Sequence, residues 1–307
     1  MEKNYDVNFL WTFVLLLTHT TVLFSQELKV FGLEDFDLRG KVKTCLVITD
    51  YGKEEFDFNE EGLLTKSVTR YSDADYDITY YKYQHGYLLE KRLESYRDGI
   101  FDKNTSIANS YSLDTLLTTK ITEKIISYNN EFLDQYYYVY DEQDRLVSIQ
   151  RNNNDGLDET KVTYSHLKGE TTQTYSLNGV ILKSIRTSVK KKGGEKQRTV
   201  LTKEFLEGEP LKAQEQLFGG NKELLMEVTF RYDTEKKQFA PEQTKSFSYT
   251  DQNVISEVII KTGNTTAKKK YIHQFDDSLS TNWIKQIITP ENSYVTRRIT
   301  YYEEEEE

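Results

Sequence analysis

Beyond residue 25 the chain carries three histidines, His85, His166 and His273, and one cysteine, Cys45. Metal sites need such ligands in tight pairs, at i,i+4 on a helix or as Cys-x-x-Cys, and these four are scattered. Cys45 lies in Val42-Lys43-Thr44-Cys45-Leu46-Val47-Ile48, an apparent strand, where a small buried residue is expected rather than a nucleophile. The run Asn152-Asn153-Asn154-Asp155-Gly156 invites a calcium loop. Aligning Gly156 with the glycine of an EF-hand places Arg151 and Val162 where the first and last carboxylates must sit, which excludes that site. Gly193-Gly194 and Gly219-Gly220 read as turns, and neither begins a phosphate-binding pattern. Paired carboxylates such as Glu60-Glu61 arise by chance among 50 acidic residues, so they do not single out a glycosidase pair. These observations imply no catalytic residue, no cofactor and no metal.

Recognition chemistry is better represented. The chain has 23 Tyr and 15 Phe. A tyrosine buries its ring while its hydroxyl reaches water or a backbone group, which suits a sheet with a wet face. Tyr136, Tyr138, Tyr140, Tyr232 and Tyr249 fall in strand-like runs and are the candidate binding face, stacking on glycans or meeting another cell-surface protein. The same rings could instead be the packed side of the sheet. A net charge of −10 repels phosphate backbones, which argues against a nucleic-acid partner. Lys190, Lys191 and Lys192 before Gly193-Gly194 read as a charged hairpin tip. The function expected is that of an exported, non-catalytic scaffold or binding protein. The alternatives are a self-assembling structural protein and, less favoured, a carbohydrate-active enzyme.

The elements that must position these side chains are strands. Val228, Phe230 and Tyr232 alternate with Thr229 and Arg231, the period of two that puts alternate side chains on one face. Tyr175-Ser176-Leu177-Asn178-Gly179-Val180-Ile181 and Phe56-Asp57-Phe58-Asn59-Glu60-Glu61-Gly62-Leu63 share a grammar: an aromatic strand, a polar turn, an aliphatic strand. Gly and Asn accept the positive φ of tight hairpin turns, so the repeating unit is a β-hairpin. The fold class expected is all-β: an elongated antiparallel sheet of stacked hairpin repeats, open or partly curled. Residues 9–24 form a largely apolar run that suits the core of a signal peptide and is short for a membrane span. With Ser25 before the cut, the domains expected are a signal peptide at 1–25, the hairpin array at 26–302 and an acidic tail at 303–307, with no membrane span in the mature chain.

Tyr140-Asp141-Glu142-Gln143-Asp144-Arg145-Leu146-Val147 resembles a YD repeat, the tyrosine-aspartate, turn, arginine-leucine pattern of RHS-type proteins. Phe275-Asp276-Asp277, Asn282-Trp283-Ile284 and Arg297-Arg298-Ile299-Thr300-Tyr301-Tyr302 are similar to the closing region of secreted YD-repeat-like proteins of Bacteroidetes-type bacteria. Leu38-Arg39-Gly40-Lys41-Val42-Lys43 is similar to their opening. The repeats are degenerate: Asp144 stands where the turn glycine is usual, and Phe275 where the tyrosine is. The resemblance implies β-hairpin arrays, which wrap into shells in the large members.

Overall fold

A computed structural model describes residues 30–115, 119–278 and 280–303. The leader expected at 1–25 and residues 304–307 of the acidic tail lie outside them. After a short 3-10 turn at Leu33–Phe36, the strands run as β1 Val42–Thr49, β2 Gly52–Phe58, β3 Leu64–Arg70, β4 Tyr76–Gln84 and β5 Tyr87–Arg97. They continue as β6 Ile100–Asp114, β7 Lys120–Ser127, β8 Phe132–Tyr140, β9 Leu146–Asn153 and β10 Gly156–Leu167. Next come β11 Glu170–Leu177, β12 Val180–Lys192, β13 Glu195–Leu206, β14 Glu209–Phe218 and β15 Leu224–Asp233. The last five are β16 Gln238–Tyr249, β17 Ile255–Thr262, β18 Thr265–Phe275, β19 Trp283–Thr289 and β20 Ser293–Tyr301.

Every strand pairs antiparallel with its sequence neighbours in one 20-stranded sheet. The expectation of an open or partly curled sheet is corrected here. β1 also pairs with β20, through Cys45↔Ile299, Leu46↔Arg298 and Val47↔Arg297, so the sheet is a closed up-and-down barrel. Closure satisfies the two edges that a row of hairpins would otherwise leave unpaired. At this strand number a circular barrel is too wide for wall side chains alone to fill.

Local sequence explains how each hairpin turns. Asn178-Gly179 takes φ of 51° and 86°, the doubly left-handed conformation whose twist matches the flanking strands. His85-Gly86 and Lys168-Gly169 repeat it. The longer turns at 59–63, 141–145, 219–223 and 250–254 share another form. In each, the first residue's N–H bonds the fifth residue's carbonyl, and the fourth residue bonds back to the first. A bulge precedes the aromatic residue that leads into each of these turns, at Phe58, Tyr140, Phe218 and Tyr249. Bulges strengthen local twist.

Register decides which side chains face the lumen. Cys45, Phe56, Ser67, Thr79 and Leu93 pair directly across five successive strands and so share a face. Phe36 packs on Phe56 and Phe58 of that face with ring centroids 4.5 and 5.5 Å apart, and Phe31 on Tyr81 at 6.2 Å. The segment bearing Phe31 and Phe36 also reaches from Leu64 to Gln252, a span of strands that converges on one peptide only from the concave side. This face is therefore the inner wall.

The inner wall holds two apolar clusters. One gathers Leu38, Val42, Cys45, Phe56, Phe58, Leu64, Tyr81, Trp283 and Val295 beneath the N-terminal segment. The other gathers Tyr138, Leu146, Ile149, Val162 and Tyr175. Ion pairs run along the outer wall, with Arg70–Glu55 at 2.7 Å, Arg92–Glu94 at 3.1 Å and Lys268–Glu257 at 2.6 Å. A lipid-spanning barrel instead carries an apolar outer band, where each Lys or Arg near the midplane costs about 2–4 kcal/mol. No helix of the described residues is long and apolar enough to cross a membrane.

Candidate recognition surface

The five tyrosines singled out from sequence do not form one face. Tyr136, Tyr138 and Tyr140 point into the second inner cluster, where Tyr138 is 2% exposed. Tyr249 donates its hydroxyl to the Leu224 carbonyl at 2.9 Å. Tyr232 packs edge-on against Phe239, with centroids 5.2 Å apart. Bulges and strand register separate residues that period two alone would have aligned.

What holds the inner tyrosines is a carboxylate with no local sequence signature. Buried Glu123 on β7 accepts from Asn109 Nδ2 at 2.6 Å, Tyr111 Oη at 2.9 Å and Tyr138 Oη at 2.7 Å. Burial, then the Glu123 charge, pushes the Tyr111 hydroxyl far up. Half-buried Lys91 is held below its usual value by desolvation, with Glu123 acting against the shift. Three donors on one carboxylate make a structural tie between β6, β7 and β8.

Aromatic rings do line up elsewhere, on the outer wall. Arg70, Tyr76, Tyr96 and Phe101 pair across β3 to β6. Tyr76 stacks on Tyr96 at 4.7 Å and 14° between planes. Phe101 meets Tyr96 at 5.5 Å, and Tyr128 of the β7–β8 turn meets Phe101 edge-on at 4.4 Å. The Arg70 guanidinium lies 4.9 Å from the Tyr76 centroid. At one end of this ladder Arg70 pairs with Glu55 at 2.7 Å, and at the other Tyr128 is 47% exposed.

On the inner face, behind the ladder, polar groups tie the adjoining turns. Tyr71 donates to Asp77 Oδ2 at 3.1 Å, and Arg97 pairs with Asp77 Oδ1 at 2.9 Å. Partial burial, then the neighbouring Asp77, raises the Tyr71 hydroxyl. Asp75 ties the β3–β4 turn to the β5–β6 turn by accepting from Asp98 N at 3.0 Å and Ser72 Oγ at 3.0 Å. Those bonds, the Asp98 amide first, hold the Asp75 carboxyl below its usual range. On the ladder's own face Tyr96 donates to Glu94 Oε2 at 3.2 Å, so the strip of rings is edged by a carboxylate and the Arg70 guanidinium. Sequence offered each ring, but not the register that joins them.

The remaining candidates stay apart. His85 occupies a turn, His166 Nδ1 lies 3.0 Å from Thr171 Oγ1, and His273 Nε2 lies 2.8 Å from Gln286 Nε2. Among the described residues no three His, Cys, Asp or Glu side chains gather as a metal site. Burial pushes the Cys45 thiol up to about 11, so it stays protonated at neutral pH.

No family model matches the chain, and no characterised protein matches it in sequence. Among solved structures it is similar to a porin-like protein of Bacteroides uniformis, at 8% identity and a TM-score of 0.32, covering 86% of this chain and 99% of that one. It is similar to a porin-like protein of Bacteroides vulgatus at 8% identity and a TM-score of 0.25, covering 85% and 98%. A TcdB2-TccC3 structure aligns over 78% of this chain and 16% of that one, at 11% identity and a TM-score of 0.16. At these TM-scores none shares the barrel's overall shape closely enough to carry a function across.

Proposed function

We propose that this barrel is an exported, non-catalytic recognition protein that binds carbohydrate on its outer wall. The observation that carries the reading is the ladder Tyr76–Tyr96–Phe101–Tyr128, bordered by Arg70 and Glu94. Ring faces receive the apolar faces of sugars, while carboxylates and the guanidinium satisfy hydroxyls at the edge. Export is supported by the apolar run at 9–24 followed by Ser25. A charged outer wall suits a barrel bathed in water at the cell exterior or in the periplasm.

A glycan array followed by calorimetry on the best ligand tests this. Tyr128→Ala and Tyr76→Ala should each weaken binding about threefold to tenfold, as expected for loss of one aromatic contact. Tyr232→Ala, on a distant part of the wall, should leave it unchanged. Binding that survives loss of both ladder ends, or no glycan bound at all, would overturn the proposal.

A further inference from the structure

The two ends of the barrel differ. At the end formed by the β9–β10, β11–β12 and β13–β14 turns, five aliphatic side chains are exposed: Leu157, Val180, Ile181, Leu206 and Leu211. They are neighbours, since Val180 Cγ1 lies 3.4 Å from where a Cβ on Gly208 would sit. Exposed Asp155, Asp158, Glu207 and Glu209 stand among them. At the opposite end, the β12–β13 turn presents exposed Lys190, Lys191, Lys192 and Lys196 beside Val189, which is 56% exposed. The adjoining β10–β11 turn adds exposed Leu167 and Lys168. One end thus carries an apolar patch set among carboxylates, and the other an apolar patch set among lysines.

From this we infer that copies of the chain stack head to tail, the lysine tip of one barrel seated on the aliphatic, acidic tips of the next. The occupant follows from charge. Seating either patch on its own copy would bring carboxylates against carboxylates or lysines against lysines, whereas seating the lysine patch on the acidic one pairs opposite signs around apolar groups. Geometry agrees, because β12 and β13 themselves run from the acidic end at Val180 and Leu206 to the basic tip at Lys192 and Glu195. Strands in a barrel tilt by about 35–45°, so the two surfaces are offset around the axis and successive copies are related by a screw rotation. Such an interface is heterologous and does not close, which yields an open stack of barrels rather than a dimer. Closure of the sheet leaves no edge for lateral pairing, so the ends are where association occurs.

Sedimentation velocity over a concentration series reads the outcome. The full chain should grow with concentration beyond a dimer, and more weakly at about 1 M salt, where screening is nearly complete. A tip variant (Lys190→Glu, Lys191→Glu, Lys192→Glu) and a rim variant (Asp155→Lys, Glu207→Lys, Glu209→Lys) should each associate roughly tenfold or more weakly. Mixed together they should recover mixed stacks, because each then offers the other an opposite charge. Recovery on mixing also shows that both variants are folded. A monomer at every concentration, a species that stops at the dimer, or association indifferent to both reversals would overturn the inference. So would a chain that stays monomeric but floats with phosphatidylcholine vesicles through Leu157 and Leu206.

Discussion

Cys45 illustrates how one residue takes its chemistry from its surroundings. It is 2% exposed on the inner wall, between Phe56 and Ile299 in register, and burial holds the thiol neutral. The expectation of a buried structural cysteine rested on its place in an apparent strand, and the register of β1 with β2 and β20 is what puts it on the inner face. Because folding raises the thiol from 9.0 to about 11, its contribution to stability is fully present below pH 9 and is lost as pH climbs toward 11. The loss should approach about 2 kcal/mol at the upper limit. Urea unfolding of the wild type and Cys45→Ala across pH 8 to 11 should therefore show curves that converge as pH rises. Parallel curves would mean the thiolate is tolerated in the barrel. Glu123 marks the other extreme of legibility. Its partners Asn109, Tyr111 and Tyr138 come from two neighbouring strands, and no spacing within β7 announces them.

At the scale of the hairpin, much was legible, and the structure supplies the reason for the aromatic-turn-aliphatic grammar. Tyr83 donates to the Leu64 carbonyl at 2.7 Å, Tyr164 to the Leu146 carbonyl at 3.0 Å, and Tyr249 to the Leu224 carbonyl at 2.9 Å. In each case a tyrosine near the end of one strand reaches the first carbonyl of the strand before it, where the bulge has disturbed the ladder. The aliphatic residue that opens the strand is thus held by its backbone as well as by its side chain. Tyr83→Phe, Tyr164→Phe and Tyr249→Phe keep the ring and remove this bond. Each should lower unfolding stability by about 1 kcal/mol, and the sites are far enough apart for the losses to add. Chemical denaturation of the single and triple variants measures this. Tyr128→Phe, whose hydroxyl borders solvent, is the control expected to change little. Illegible at this scale was the face each tyrosine would take. Strand register sends Tyr232 to the outer wall and sets Tyr249 on the inner wall eight strands from Tyr136, so the expected grouping dissolved.

Closure belongs to the whole molecule, and period-two patterning is the same whether a sheet is open or closed. What distinguishes the two is the seam between β1 and β20, a contact between the ends of the described chain. Around that seam lie the Leu38-Arg39-Gly40 opening and the Asn282-Trp283 and Tyr301-Tyr302 stretches. Asn282, 2% exposed, accepts from the Arg39 amide at 2.9 Å and donates to the Arg39 carbonyl at 2.9 Å and to Tyr301 Oη at 2.8 Å. Tyr301 in turn donates to Asp276, and Tyr302 donates to the Phe58 carbonyl at 2.6 Å. One amide side chain therefore joins the segment before β1, the turn before β19 and the end of β20. Asn282→Ala leaves the Arg39 backbone pair buried without partners, a loss of about 2–4 kcal/mol. That loss should be local in the first instance. Hydrogen exchange should quicken in β1, β19 and β20 well before β8 and β9, which the Glu123 tie and the second cluster hold independently. Uniform acceleration around the circuit would instead mean that the barrel opens as one cooperative unit with no privileged seam.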